Sequence, residues 1–179
     1  LTPVGKSGRR ANGSDVFGID SVNEFDIFLD DIYDYCEMLD IGVDTLVHES
    51  GPSQIEINLN HGDPLKLADQ TFMFKRAVRQ VALKHGIHAT FMAKPHQGQP
   101  GSSMHIHQNL VSYIENKNIF TDSEGKETNN FYHYIGGLQE YLPDAMVFFA
   151  PYVNSYRRFV INSSAPINTH WGFENRTVG

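Results

Sequence analysis

Between Gln54 and Gly86 the apolar residues change their spacing once, and that change limits what the chain can fold into. In "SQIEINLN" the spacing is two. Ile55, Ile57 and Leu59 face one way, while Gln54, Glu56 and Asn58 face the other, which is the pattern of a strand with one buried face. In "HGDPLKLADQTFMFKRAVRQVALKHG" the spacing becomes three to four, and Phe74, Ala77, Val78, Val81 and Ala82 form the buried stripe of a helix. Asp63 can cap that helix and Pro64 suits its first position. Lys84, His85 and Gly86 end it, with basic groups at the negative end of the dipole.

The flanking segments extend the pattern. "VDTLVHES" reads as a strand, separated from the next by the turn signal Gly51-Pro52. Residues 1–20 read as a loop. A helix is expected from Ser21, with Ser21 and Glu24 as a capping box, a stripe of Val22, Phe25, Leu29, Ile32, Cys36 and Leu39, and Gly42 closing it. Asp26, Asp30, Asp34 and Glu37 fall off this stripe and read as a solvated acidic face. Further on, "IHATFMAKP" and "GSSMHIHQNL" read as strands flanking a Gly/Pro/Gln loop. "NKNIFTDSEGKETNN" is a polar connection. "NNFYHYIGGLQEYLPDAMVFFA" reads as one helix or two, with Phe131, Ile135, Leu138 and Leu142 on one side and a break at Pro143. There is no regular βαβ alternation. The expected class is therefore α+β, an antiparallel sheet covered by helices.

The 179 residues suffice for a real core, and 40% hydrophobic content fits a globular chain. A formal net charge of -7 argues against a general binder of nucleic acid or anionic membrane. The single cysteine, Cys36, excludes an intrachain disulfide and a cysteine-cluster metal site. No apolar run is long enough to span a bilayer and no signal peptide is evident, so a cytoplasmic protein is expected. The chain starts at Leu1 and stops abruptly at "ENRTVG", which leads us to expect a piece of a longer protein.

Three residues stand out as possible metal ligands: Glu49, Glu56 and His105. Carboxylates with one imidazole suit Mg²⁺ or Mn²⁺ better than zinc. Each also has a plainer reading, as a solvated strand carboxylate or a hydrogen-bonded structural histidine. In "GSSMHIHQNL" alternation puts Ser103, His105, His107 and Asn109 on one face, and Met104, Ile106 and Leu110 on the other. Arg157, Arg158 and Arg176 lie in an irregular stretch, where guanidinium groups can grip carboxylate or phosphate in bidentate fashion. A divalent metal plus arginines is equipment for phosphoryl transfer. Neither a Walker loop nor G-x-G-x-x-G occurs.

"HESGPSQIEINL", "ATFMAKP", "GSSMHIHQNL", "NSYRRF", "AP" and "NRT" occur in the order found in the catalytic domain of the glutamine synthetase family, which this chain resembles. The finer pattern, "SVNEFDIFLDDIYDYC", is similar to the branch of glutamate–polyamine ligases, the γ-glutamylputrescine synthetase type. The resemblance implies an ATP-dependent ligase that forms γ-glutamyl amides through γ-glutamyl phosphate. By motif, Glu49 and Glu56 match carboxylates that bind the metal next to glutamate, and His105 matches the ligand of the metal next to the ATP phosphates. His107 and Asn109 match positions near the nucleotide. Gly101 matches a backbone glycine beside glutamate, Arg158 a clamp on its carboxylate, and Arg176 an arginine at the transferred phosphoryl group. Ser164 stands where ammonia-using relatives carry the glutamate that takes a proton from ammonium.

Two departures accompany the match. Pro100-Gly101 replaces the usual Asn-Gly, and Asn109 replaces a common Ser. The resemblance further implies that residues 1–179 are one incomplete catalytic domain, without the amino-terminal β-grasp domain and the carboxy-terminal part, and that the parent is a homo-oligomeric ring. Its partners would be glutamate, ATP and a small amine, with no nucleic acid and no membrane. Two other readings are an ammonia-using glutamine synthetase and a non-catalytic relative. An unrelated zinc hydrolase has no H-E-x-x-H or similar motif to support it.

Overall fold

The computed structural model describes residues 2–11, 16–161 and 165–175. Two compact units result: Leu1–Phe91 with His96–Pro100, and Met92–Pro95 with Gly101–Gly179.

In the first unit the order is α1 (Ile19–Asn23), α2 (Asp26–Met38), β1 (Val43–His48), β2 (Ile55–Leu59) and α3 (Pro64–Lys84). The strands pair antiparallel, with Leu46 opposite Ile57, Val47 opposite Glu56 and His48 opposite Ile55. Leu46, Ile55, Ile57 and Leu59 pack against a core of Leu29, Ile32 and Cys36 from α2 and Phe74, Val78 and Val81 from α3. The alternation read from "SQIEINLN" is thus realised, and all five residues expected on the buried stripe of α3 are buried. Asp63 caps α3 as expected, its Oδ1 accepting from Leu65 N–H and Lys66 N–H at 3.0 Å each. His85 at the end of α3 is 2.8 Å from Asp31 on α2, which ties the two helices at one end. Cys36 is 1% exposed and burial pushes its thiol pKa up, so it packs as a small apolar group and not as a reactive thiolate.

The first helix departs from expectation. It is two helices, broken at Glu24–Phe25, and the residue preceding α1 is Gly18. Ser21 lies inside α1, and the Glu24 carboxylate does not fold back to make a capping box. It accepts instead from Ser7 N–H at 3.0 Å, and that bond is the main reason its pKa lies below the usual carboxylate value. Nor does Gly42 close α2. The helix ends at Met38, and Asp40 makes the reversal with φ of 55°. Gly42 serves a close approach, since a Cβ there would lie 2.5 Å from the Asn60 side-chain nitrogen.

The second unit holds α4 (Asn129–Phe149) and α5 (Val153–Tyr156). Thr128 caps α4, accepting from Phe131 N–H at 3.4 Å while its hydroxyl donates to Ile119 C=O at 2.6 Å. Pro143 does not break α4, which runs on through it. The proline forfeits one backbone bond, to the carbonyl of Gln139, on an exposed stretch where water can replace it. Neither "IHATFMAKP" nor "GSSMHIHQNL" forms a strand ladder. Met104 and Ile106, which alternation puts on the face opposite His105 and His107, are 65% and 55% exposed. Alternation describes a sheet face only where neighbouring strands satisfy the backbone. Among the described residues the sheet of named strands is β1–β2 alone.

Candidate active site

The sheet face turned away from the helices carries the carboxylates. Glu56 stands opposite Val47 on β1. Glu49 follows the strand and stays in register, because its N–H donates to Gln54 C=O at 2.8 Å. Glu49 and Glu56 are therefore diagonal neighbours on one face, separated on the scale of about 7–8 Å between backbones. The loop between them is closed locally: Gly51 N–H donates to the Gln54 side chain at 2.9 Å, and Gln54 N–H to Gly51 C=O at 3.0 Å. Glu49 Oε2 accepts from Ser50 N–H at 3.2 Å. Glu56 Oε1 accepts from Asn58 Nδ2 at 3.1 Å, and Asn58 also donates to Thr45 Oγ1 at 2.9 Å. A carboxylate offers roughly four lone-pair directions, so one such bond leaves room for a hard cation. The donor chemistry fits Mg²⁺ or Mn²⁺.

His48, between Val47 and Glu49, turns the other way. It is 1% exposed and its Nδ1 is buried without a partner among the described residues. Its burial anchors the strand end from which Glu49 projects. The sequence reading gave it no role, although strand parity places it on the core face.

In the second unit Gly101 and Arg158 meet. A Cβ on Gly101 would lie 2.6 Å from the Ala93 carbonyl oxygen and 3.1 Å from the Arg158 side chain. Arg158 Nη1 donates to Ser102 C=O at 3.0 Å, and Ser102 N–H donates to Ala93 C=O at 2.9 Å. Arg158 Nε is buried without an acceptor among the described residues. An orphaned guanidinium donor is costly, and an anionic oxygen would relieve it. Asn154 fixes this knot and was also missed from the sequence. It accepts from Lys94 N–H at 2.8 Å and donates to Lys94 C=O at 2.9 Å. The segments "NSYRRF" and "ATFMAKP" carry the signal, since an asparagine can replace a strand partner by bonding both backbone groups of one residue.

His105, His107 and Asn109 lie on the exposed run from 103 to 110. Asn109 Oδ1 accepts from Asn118 Nδ2 at 3.1 Å, and Gln108 accepts from the Tyr134 hydroxyl. Ser164 and Arg176 lie outside the described residues. Among the described residues no group of three or more His, Cys, Asp or Glu side chains is gathered as a metal site; strand register places Glu49 and Glu56 on one face, and Gly101 lies against Arg158.

The first unit thus carries two strand carboxylates on one sheet face, and the second an arginine whose Nε lacks an acceptor among the described residues, beside a glycine. The comparisons specify the class. The family model for the glutamine synthetase catalytic domain matches residues 2–179, and the chain belongs to that family. It is 39% identical over 170 residues to gamma-glutamylputrescine synthetase PuuA of Escherichia coli strain K12, covering 94% of this chain and 36% of the relative. It is 39% identical over 148 residues to glutamine synthetase of Pyrococcus horikoshii, covering 83% and 33%. With glutamate–isopropylamine ligase of a Pseudomonas species the identity is 33% over 186 residues, covering 99% and 38%. The chain thus spans about a third of the length of these curated relatives. Among solved structures, a GmaS/ADP complex superposes with a TM-score of 0.80 at 27% identity, covering 99% of this chain and 44% of that one. The matched fold is α+β. No helix among the described residues is long and apolar enough to cross a membrane.

Proposed function

We propose that the protein containing this chain is an ATP-dependent ligase that joins the γ-carboxylate of glutamate to a primary amine, with a polyamine such as putrescine as the favoured class. The observation that carries the proposal is the Gly101–Arg158 knot, where a buried guanidinium nitrogen has no acceptor among the described residues; motif resemblance matches this arginine to the glutamate clamp. Two relatives named for alkylamine products or substrates support the choice of amine.

In this reading Arg158 orients the glutamate carboxylate, and Gly101 lets it approach the backbone. His107 and Asn109 contact the nucleotide. Glu49 and Glu56 would hold the Mg²⁺ or Mn²⁺ next to glutamate, and His105 would be a ligand of the metal next to the ATP phosphates; such metals offset the charge of two anions brought together. The γ-carboxylate oxygen attacks the terminal phosphorus of ATP, ADP leaves, and Arg176 steadies the developing charge. The amine nitrogen then forms a bond to the γ-carbon, the carbon–oxygen bond to phosphate breaks, and the amine loses a proton. The parent protein would be cytoplasmic and a homo-oligomeric ring, with residues 1–179 forming one part of a catalytic domain.

Ser164 decides the amine. A serine cannot supply the negative charge or the base that ammonia-using relatives place at this position, and its small volume leaves room for an alkyl chain. The second reading, a plain glutamine synthetase, rests on the equally high identity to the Pyrococcus enzyme. The two are separated by measuring ADP release at saturating glutamate with ammonia, putrescine and monoamines in the full-length protein. Putrescine or another primary amine is expected to give the highest kcat/KM, and an advantage for ammonia would favour the second reading.

A further inference from the structure

The solvent face of α3 carries a basic patch that the ligase reading does not use. Phe72, Lys75, Arg76, Arg79 and Gln80 line a surface depression of about 310 Å³. Their spacing of three and four residues puts them on one side of the helix, opposite the stripe buried against the hairpin. The Lys75 ammonium sits 5.4 Å and the Arg79 guanidinium 5.1 Å from the centroid of the Phe91 ring. That ring is itself fixed edge-on against Phe74 in the core, at 6.3 Å. Among the described residues none of the three cations forms a salt bridge, while Lys6, Lys66, Lys84 and Lys126 all do.

A purely structural role accounts for part of this. Two cations over one aromatic face hold Phe91 against α3. It does not account for Arg76, which has neither ring nor acid among the described residues, or for Phe72, which is 71% exposed beside it. In a chain of net charge -7, three unpaired cations converging on one depression form a local field of opposite sign to the whole. Asp69, one turn before Phe72, is the acidic residue of this helix face and lies outside the lining.

We propose that this depression binds a small polyanion of the phosphate class, carrying at least two adjacent negative charges. Arg76 and Arg79 supply forked donors to phosphate oxygens, and Lys75 adds a point charge. The phosphates come from a nucleotide or from an inorganic polyphosphate. Phe72 offers a stacking surface that only the nucleotide would use. The site takes its ligand without a divalent metal, which sets it apart from the candidate active site.

The test is calorimetric titration of the 179-residue chain and of the full-length protein, at low salt and in excess EDTA, with pyrophosphate, ADP and citrate. Pyrophosphate is expected to bind one site per chain and to weaken as salt is raised. Arg76→Gln and Arg79→Gln should each lower affinity about tenfold, with unchanged circular dichroism. Lys75→Met keeps the apolar stem on Phe91 and should lower affinity without unfolding. Arg158→Gln should leave binding intact. A nucleotide source is indicated if ADP binds more tightly than pyrophosphate and Phe72→Ala removes the difference, and an inorganic source if it does not. Absence of pyrophosphate binding in both proteins would overturn the proposal. So would binding that survives the Arg76/Arg79 double variant, or binding lost in Arg158→Gln.

Discussion

Glu56→Ala in the full-length protein is expected to suppress ATP-dependent ligation and to weaken Mg²⁺ or Mn²⁺ binding. Glu56 sits mid-strand, opposite Val47, on the face that also carries Glu49. Its backbone is held by the ladder and its neighbours Ile55 and Ile57 by the core, so the carboxylate is aimed by a rigid element. Alanine fits a strand at this half-buried position and removes no core contact, so the fold should survive. On the proposed reading, what is lost is one of two negative charges that would hold a hard cation. Removing a charge-stabilising group of this kind costs on the order of 10²–10³ in rate. Metal affinity by titration and kcat by ADP release should fall together. Unchanged turnover in this variant would defeat the metal assignment.

Gly101→Val should be nearly as damaging, by a different route. A Cβ at this position would lie 2.6 Å from a backbone oxygen, that of Ala93, and 3.1 Å from two carbons of Arg158. The side chain could yield, but the carbonyl cannot without shifting the segment that Asn154 pins at Lys94. The expected result is displacement of Arg158 from Ser102, a raised KM for glutamate, and a loss in kcat/KM on the order of 10². Gly101→Ala should move in the same direction by less. An unaltered KM for glutamate in the valine variant would show that Gly101 and Arg158 do not form the substrate clamp.

The sequence was most legible where short-range periodicity and burial agree. The alternation of Ile55, Ile57 and Leu59, the stripe of α3 and its Asp63 cap all stand as read, because each is decided by residues within a few positions. It was least legible where a distant group intervened. Glu24 bonds Ser7 and not the start of a helix at Ser21, and Gly42 makes room for Asn60. The strand read into "GSSMHIHQNL" has the right alternation and no ladder. Periodicity reports which side chains could share a face; the neighbours that would make it a sheet are not encoded in the segment itself. Of the site, Glu49 and Glu56 were visible as two carboxylates near a turn, but their shared face depended on a register that only the paired strands reveal. Asn154 and His48 went unassigned because their roles rest on bonds and burial made across long stretches of chain.

The most direct test is product analysis of the full-length protein given glutamate, ATP, Mg²⁺ and putrescine, with ADP measured alongside. One γ-glutamyl amide per ADP is expected, with no amide when ATP is omitted and little ADP when glutamate is omitted. Amide formation without ATP, or steady ADP release with no amide from any amine or from ammonia, would contradict the assignment of a glutamate–amine ligase.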